Sequence, residues 1–232
     1  MTATVLITGC GRGVGLELAY QYARDGWQVH ACARDLERAE ALRALAAGYP
    51  EQVSLHALDI TRDGQITALN RVLGDTVLDL LINNAGYYGP HGVQFTHLDR
   101  EIWRQVLEVN TLSPLMLTQA LLPRVAAGKM RTIAFLSSKV GSIADNRSGG
   151  SYYYRSSKTA LNQAVKSLSV DYHGSGLKFV MLHPGWVQTD MGGPNALISP
   201  EESVTGLRQV IANLTPDQSG SFLNYDGSVI PW

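Results

Sequence analysis

A short apolar run, Thr4-Val5-Leu6-Ile7, ends in Thr8-Gly9-Cys10-Gly11-Arg12-Gly13-Val14-Gly15, after which Leu18, Ala19, Tyr22 and Ala23 recur on one helical face. Strand, glycine turn and helix in this order point backbone N–H groups and a helix N-terminus at one spot, the layout that receives a phosphate. The glycines allow the tight turn and let the backbone approach a pyrophosphate closely. Their spacing is TGxxxGxG rather than GxGxxG, since Val14 and Leu16 stand where the second pattern needs glycine. A loop of this kind calls for strands and helices in alternation behind it.

That alternation is present. Strands are expected at Gln28–Ala33, Val53–Leu58, Leu78–Ile82, Arg131–Leu136, Lys178–Leu182 and, briefly, Ser221–Leu223. Helical patterns fill the intervals: Leu36 to about Ala47, the stretch after Asp59-Ile60 to about Leu73, Ile102–Leu122 and Tyr152–Tyr172. Ser199-Pro200-Glu201-Glu202 reads as a capping-box start for one more. The nearly continuous apolar run at Leu78–Ile82 is what a strand buried on both faces looks like. The expected fold is therefore α/β: a single-domain, Rossmann-type, doubly wound parallel sheet of about seven strands with helices on both faces, covering residues 1–232. At 232 residues and 45% hydrophobic, the chain has the material for such a core.

The rest of the composition removes whole classes of function. A formal net charge of -1 gives no electrostatic footprint for nucleic acid or an anionic membrane. Cys10 and Cys32 make neither a disulfide framework nor a CxxC pair, and the six histidines show no HExxH spacing, so no metal is expected. There is no run of about 18 apolar residues, and Met1 leads straight into a strand rather than a signal peptide. A soluble protein in the reducing cytoplasm is the expectation.

Chemistry is concentrated at Ser151-Tyr152-Tyr153-Tyr154-Arg155-Ser156-Ser157-Lys158. Tyr154 and Lys158 are four residues apart, so a helix puts both on one face, one turn apart. Ser151 can cap that helix, and Leu161, Ala164, Val165 and Leu168 continue its period. A lysine ammonium beside a phenol favours the phenolate and brings a poor acid–base group towards neutral pH. Such a pair can pass a proton to or from a substrate oxygen. Asn110, in mid-helix, is locally unfavourable and reads as a buried polar duty.

Gly9–Gly15, Arg34, Asp59, Asn83, Ser138 and Pro184 all follow strand ends, so they should share one rim, where ligands of open α/β sheets bind. After the second strand stands Ala33-Arg34-Asp35, with no carboxylate at position 33 to claim a ribose hydroxyl. Arg34 and Arg12 suit a 2′-phosphate, and the other reading is two solvated surface arginines. Asn83-Asn84-Ala85-Gly86 can bond a cofactor or tie neighbouring strands. Tyr87, Tyr88, Trp186 and Met191 border an apolar-aromatic pocket or belong to the core.

Together, Thr8–Gly15, Asn83-Asn84-Ala85-Gly86, Asn110, Ser138, Tyr154-x-x-x-Lys158 and Pro184-Gly185 resemble the motifs of the short-chain dehydrogenase/reductase family, in its order and over essentially the whole chain. The stretches 145–151, 183–191 and 226–232 are similar to those of C-factor and sniffer-type carbonyl reductases. The resemblance implies NADP(H), with NAD(H) as the less favoured alternative, and a small-molecule carbonyl substrate. It makes Tyr154 the proton donor, with Ser138 (rather than Ser137) polarising the carbonyl. Lys158 binds the nicotinamide ribose and lowers the Tyr154 pKa, and Asn110 holds a relay water. Thr8, Gly9, Arg12, Gly13, Val14, Gly15 and Arg34 fall to the phosphate end of the cofactor. Asp59 and Ile60 fall to the adenine edge, and Asn84, Ala85, Gly86, Pro184, Gly185, Val187 and Thr189 to the remainder. It also implies a homodimer or homotetramer through the two long helices. The alternative it carries is a cofactor-binding signalling protein of C-factor type with little turnover. The span from Ser138 to Tyr154 is a few residues longer than in many members, and its glycine-rich insertion is expected to shape the substrate mouth.

Overall fold

The structure, a computed structural model, describes residues 2–232; Met1, expected to lead into the first strand, lies outside the described residues. Among the described residues seven strands form one sheet: β1 (Thr4–Thr8), β2 (Gln28–Ala33), β3 (Val53–Ala57), β4 (Leu80–Asn83), β5 (Thr132–Leu136), β6 (Lys178–His183) and β7 (Ser221–Asn224). Their order is β3-β2-β1-β4-β5-β6-β7, and every neighbouring pair is parallel. The direction of winding reverses between β1 and β4, which opens a crevice beyond their carboxyl ends.

Alternation within each strand sorts the core onto two faces. Val5, Ile7, Val29, Ala31, Val180 and Leu182 meet α1 (Gly13–Arg24), α2 (Glu40–Gly48) and α7 (Pro200–Ala212) on one side. Leu6, Leu81, Ile133, Phe135, Phe179 and Met181 meet α3 (Asp63–Val72), α5 (Ser113–Ala126) and α6 (Tyr152–Asp171) on the other. The helices on both faces match the sequence pattern, and α4 (Arg100–Leu107) packs on α6.

Three local expectations are corrected. The helix expected from Leu36 starts at Glu40, because the Asp35 carboxylate accepts from the backbone N–H groups of Glu37 (3.0 Å) and Arg38 (3.2 Å) and holds a turn there. The stretch read as one helix, Ile102–Leu122, is α4 and α5 joined by a π-turn at Glu108–Leu112. Ser151 does not cap α6: it adopts left-handed backbone (φ 46°) and makes no capping bond. Ser199 does cap α7, its hydroxyl accepting from Glu202 N at 3.0 Å.

On the neighbouring strands β2 and β3, His30 Nδ1 and His56 Nε2 stand 2.9 Å apart. The pair can hydrogen-bond only if at least one ring is neutral. Burial holds His30 down to about 4, with the His56 ring adding to the effect, and burial lowers His56 too. The folded chain thus binds fewer protons here than the unfolded chain, which titrates near 6.5. Stability is full above about pH 6.5 and falls as pH drops towards 4. The urea midpoint is expected to fall across that window, with a shallower decline in His30→Gln; an equally steep decline would assign the acid sensitivity elsewhere.

Candidate active site

At the crevice, Thr8 closes β1 and its Oγ1 accepts from the N–H groups of Asn84 and Ala85, both at 3.0 Å. The Asn84 side chain donates back to Thr8 O (2.8 Å) and Gly9 O (3.2 Å). Asn84 therefore ties β4 to the glycine loop. Gly9 has φ 72°, and a Cβ there would sit 2.9 Å from Ala85 Cα. A Cβ on Gly15 would run into Gly9 O. Glycine is needed at 9 for its backbone and at 15 for close packing of α1 on the loop. Arg12, at the cap position of α1, makes no side-chain capping bond, and the first turn carries no acidic residue. The loop thus presents helix N–H groups without a side-chain acceptor or a repelling charge, a cradle that fits a phosphate.

Beyond β2, Ala33 and Ala39 are buried beside Gly11, and Arg34 is exposed. Asp35 is occupied by its turn and lies 3.5 Å from Arg38 Nε. Arg12 reaches across the crevice, its Nη1 donating to Asp190 Oδ2 at 2.7 Å. That pair joins the glycine loop to the segment after β6 and was not foreseen, being 178 residues apart in sequence. The Asp59 carboxylate accepts from Thr61 N and Thr61 Oγ1. Burial works to raise its pKa, but the Thr61 bonds and the charges of Arg34 and Arg62 bring it below the usual carboxylate range. Ile60 packs into the core under α3, and Val14 packs against the core on the other face.

Past β6, Pro184-Gly185 leads to Val187, which is buried and whose carbonyl accepts from Thr189 Oγ1 at 3.3 Å. A Cβ on Gly13 would lie 3.1 Å from Thr189 Cγ2, so Thr189 stands against the glycine loop. Tyr87, Trp186 and Met191 are exposed on this rim and do not belong to the core.

Tyr154 and Lys158 lie one turn apart on α6, buried, with Lys158 Nζ 5.6 Å from the centre of the Tyr154 ring. Lys158 Nζ donates to Leu136 O at 2.7 Å, at the end of β5. Ser138 follows β5 and is buried, whereas Ser137 Oγ turns under α6 and donates to Asn162 Oδ1 at 2.6 Å. Asn110, in the π-turn, is also buried; its Oδ1 accepts from Tyr87 N (2.7 Å), and its Nδ2 donates to Tyr87 O (2.8 Å) and Ser157 Oγ (3.0 Å). A Cβ on Gly86 would lie 3.4 Å from Asn110 Oδ1 and 3.8 Å from Lys158 Nζ, which puts all three at one spot.

Burial lowers the Lys158 ammonium to about 8. Burial also raises the Tyr154 phenol above its ordinary value, the Tyr88 phenol adds to the rise, and the Ser138 side chain opposes it. The spacing of Tyr and Lys had pointed to a lowered phenol. Desolvation wins because the ammonium is directed at Leu136 O rather than at the phenol oxygen.

Sequence reasoning missed Ser157, whose hydroxyl donates to Tyr154 O (2.8 Å) while accepting from Asn110. The available signal was a small hydroxyl on the helix face between Tyr154 and Lys158, a position from which it can bond the preceding turn. It also missed Gly141, where a Cβ would stand 2.8 Å from Lys158 Cβ. Among the described residues, no group of three His, Cys, Asp or Glu side chains is placed to hold a metal, and no helix is long and apolar enough to cross a membrane.

The family model for short chain dehydrogenase matches residues 3–197. The chain is 45% identical over 155 residues to the C-signal of Myxococcus xanthus, covering 67% of this chain and 93% of that protein. Among solved structures, the carbonyl reductase Sniffer of D. melanogaster superposes with a TM-score of 0.91 at 35% identity, covering both chains fully. NADPH-bound carbonyl reductase from chicken fatty liver gives 0.91 at 33% identity, over 100% of this chain and 99% of that one.

Proposed function

The chain belongs to the short-chain dehydrogenase family, and we propose that within it this protein is an NADP(H)-dependent reductase of aldehydes, ketones or quinones. The observation that carries the reading is the burial of Tyr154, Lys158, Ser138 and Asn110 around one spot, beside a phosphate cradle. When bound, the dihydronicotinamide supplies the hydride. Tyr154, held protonated by its burial, gives its proton to the carbonyl oxygen. Ser138 donates a second hydrogen bond to that oxygen as charge develops on it. Lys158 has ammonium protons beyond the one on Leu136 O for the ribose hydroxyls, and its charge steadies the phenolate left after transfer. Both Nδ2 protons of Asn110 already have acceptors, so its part in holding a relay water falls to its oxygen atoms. Arg34 and Arg12 take the 2′-phosphate. Asp59 and Ile60 take the adenine edge. Thr8, Gly9, Gly13, Val14 and Gly15 take the pyrophosphate side, and Asn84, Ala85, Gly86, Pro184, Gly185, Val187 and Thr189 the remainder.

We place subunit contacts on the end of the π-turn, α5 and α6, where Leu112, Met116 and Val170 are exposed, which supports a homodimer or homotetramer. The cytoplasm remains the proposed location. Similarity to the C-signal favours a second reading, a cofactor-loaded signalling protein. A buried, hydrogen-bonded proton-transfer set is without use to such a binder. NADPH oxidation with aldehydes, ketones and quinones separates the two. Turnover is expected, with kcat/KM at least about tenfold above that with NADH. Oxidation no faster than the blank with every carbonyl would leave the signalling reading.

A further inference from the structure

The Tyr88 ring stacks on Tyr154 with centres 4.6 Å apart and planes at 28°, and on His91 at 4.3 Å and 12°. Two rings stacked this closely on a third must occupy its opposite faces, so Tyr88 is sandwiched. Its hydroxyl is 2.9 Å from Ser151 Oγ. Ser151, expected as a cap, stands instead in left-handed backbone after Gly149 and Gly150, which also have positive φ. A serine in that conformation is strained and is held by its surroundings. Gly86 and Gly89 flank Tyr87-Tyr88 in the chain, and Gly89 has φ 79°.

Behind Ser151 lies a cleft of about 480 Å³, walled by Pro90, Val93, Phe95, Leu98, Tyr152 and Tyr153. Among the described residues no Lys, Arg, Asp or Glu lines it, and Phe95 is 68% exposed over it. Its volume is that of a small-molecule pocket. Tyr152 and Tyr154 share the first turn of α6, so the cleft begins within one turn of the proton donor. Tyr88 touches Tyr154 through one face of its ring, and its hydroxyl reaches Ser151, which lines the cleft.

We propose that Tyr88, latched by Ser151, is a specificity-determining partition between Tyr154 and this cleft. Closed, it confines turnover to carbonyls with short bodies. Displaced, it admits a long uncharged aromatic body into the cleft, which offers an anionic body no cation. This rests on the reductase reading above, since it assigns the selectivity of that same site.

The test compares acetaldehyde, biphenyl-4-carbaldehyde and 4′-formylbiphenyl-4-carboxylate in the NADPH-loaded protein. In Tyr88→Ala, the kcat/KM ratio of biphenyl-4-carbaldehyde to acetaldehyde is expected to rise at least tenfold, while the carboxylate gains less. Tyr88→Phe and Ser151→Ala keep the ring and remove the latch. Each should raise the ratio about threefold, and the double variant no further, because both delete one hydrogen bond. Equilibrium binding of biphenyl-4-carbaldehyde to protein saturated with NADP+, which cannot reduce it, should tighten at least tenfold in Tyr88→Ala. An unchanged or lower ratio with unchanged or weaker binding overturns the partition. A parent protein that turns over no carbonyl removes the reductase reading instead, and the binding comparison then decides the partition alone.

Discussion

Tyr154→Phe is expected to lower kcat for carbonyl reduction roughly 10²–10⁴-fold, the range that positioned acid–base groups supply. NADPH affinity should stay within about twofold, since only one hydroxyl is lost and the ring still fills its place between Tyr88 and α6. The neighbouring tyrosines make the comparison sharp. Tyr153 points away from the crevice: its hydroxyl accepts from Asp99 N at 2.6 Å and its ring meets Trp103 edge-on. Tyr153→Phe should cost about 1 kcal/mol of stability, as for one hydrogen bond, and little turnover. Tyr152 leans on Phe95 at 5.4 Å and should be milder still in rate. Stopped-flow reduction with NADPH, with cofactor titration alongside, checks all three. A Tyr154→Phe protein as active as the parent would mean that the proton comes from elsewhere.

The second large effect is on cofactor choice. Ala33→Asp combined with Arg34→Ala should reverse the preference from NADPH to NADH. A charge-assisted hydrogen bond is worth roughly 1.5–3 kcal/mol, so losing the arginine shifts the ratio about tenfold or more. The new carboxylate would add a comparable shift by repelling the 2′-phosphate and accepting from the ribose hydroxyls. Two features assign the larger share to Arg34. Arg12 is paired to Asp190, both ends exposed, so that engaging a phosphate means exchanging one anion for another. Asp35, the carboxylate next to Arg34 in the chain, is spent on Glu37 N and Arg38 N. Arg34→Ala should therefore raise the KM for NADPH more than Arg12→Ala does, with the KM for NADH little changed in either. Steady-state kinetics with both cofactors reads this directly. A parent with equal or better kcat/KM for NADH would show that Arg34 and Arg12 hold no 2′-phosphate.

What was legible in the sequence is what local period and spacing encode. Seven apolar runs and the helices between them place the glycine loop, Arg34, Asp59, Asn83, Ser138 and Pro184 at strand ends, and so on one rim. Tyr154 and Lys158 are legible for the same reason, since a helix of fixed pitch turns four residues into one face. The late start of α2 is a local miss, set by the Asp35 turn, whereas several others are set by partners far away in the chain. Ser151 has the side chain of a cap, but two left-handed glycines and the Tyr88 hydroxyl decide its backbone. The raised Tyr154 phenol follows from burial under the β4–α4 loop and from an ammonium turned towards Leu136, neither visible in the heptad around it. Arg12 finds Asp190 only because the segment after β6 runs back across the crevice to the glycine loop, past β4 and β5.

The π-turn at Glu108–Leu112 has a consequence for the helix as a whole. Such a turn holds one residue more than an α-turn, which rotates everything after it by about 100° relative to an unbroken helix. Val106 and Leu117, eleven residues apart, would lie on one stripe of a regular helix. Here α4 faces α6 while α5 faces α3 and the sheet, and Leu117 goes into the core beneath β4 and β5. The residue that sets this change of phase is Asn110, anchored on both sides by Tyr87 and Ser157. The extra residue therefore works like a keyway in a shaft: it fixes the angle at which the second half is mounted on the first. Deleting a single residue from the π-turn would leave every remaining side chain chemically intact and turn those of α5 the wrong way.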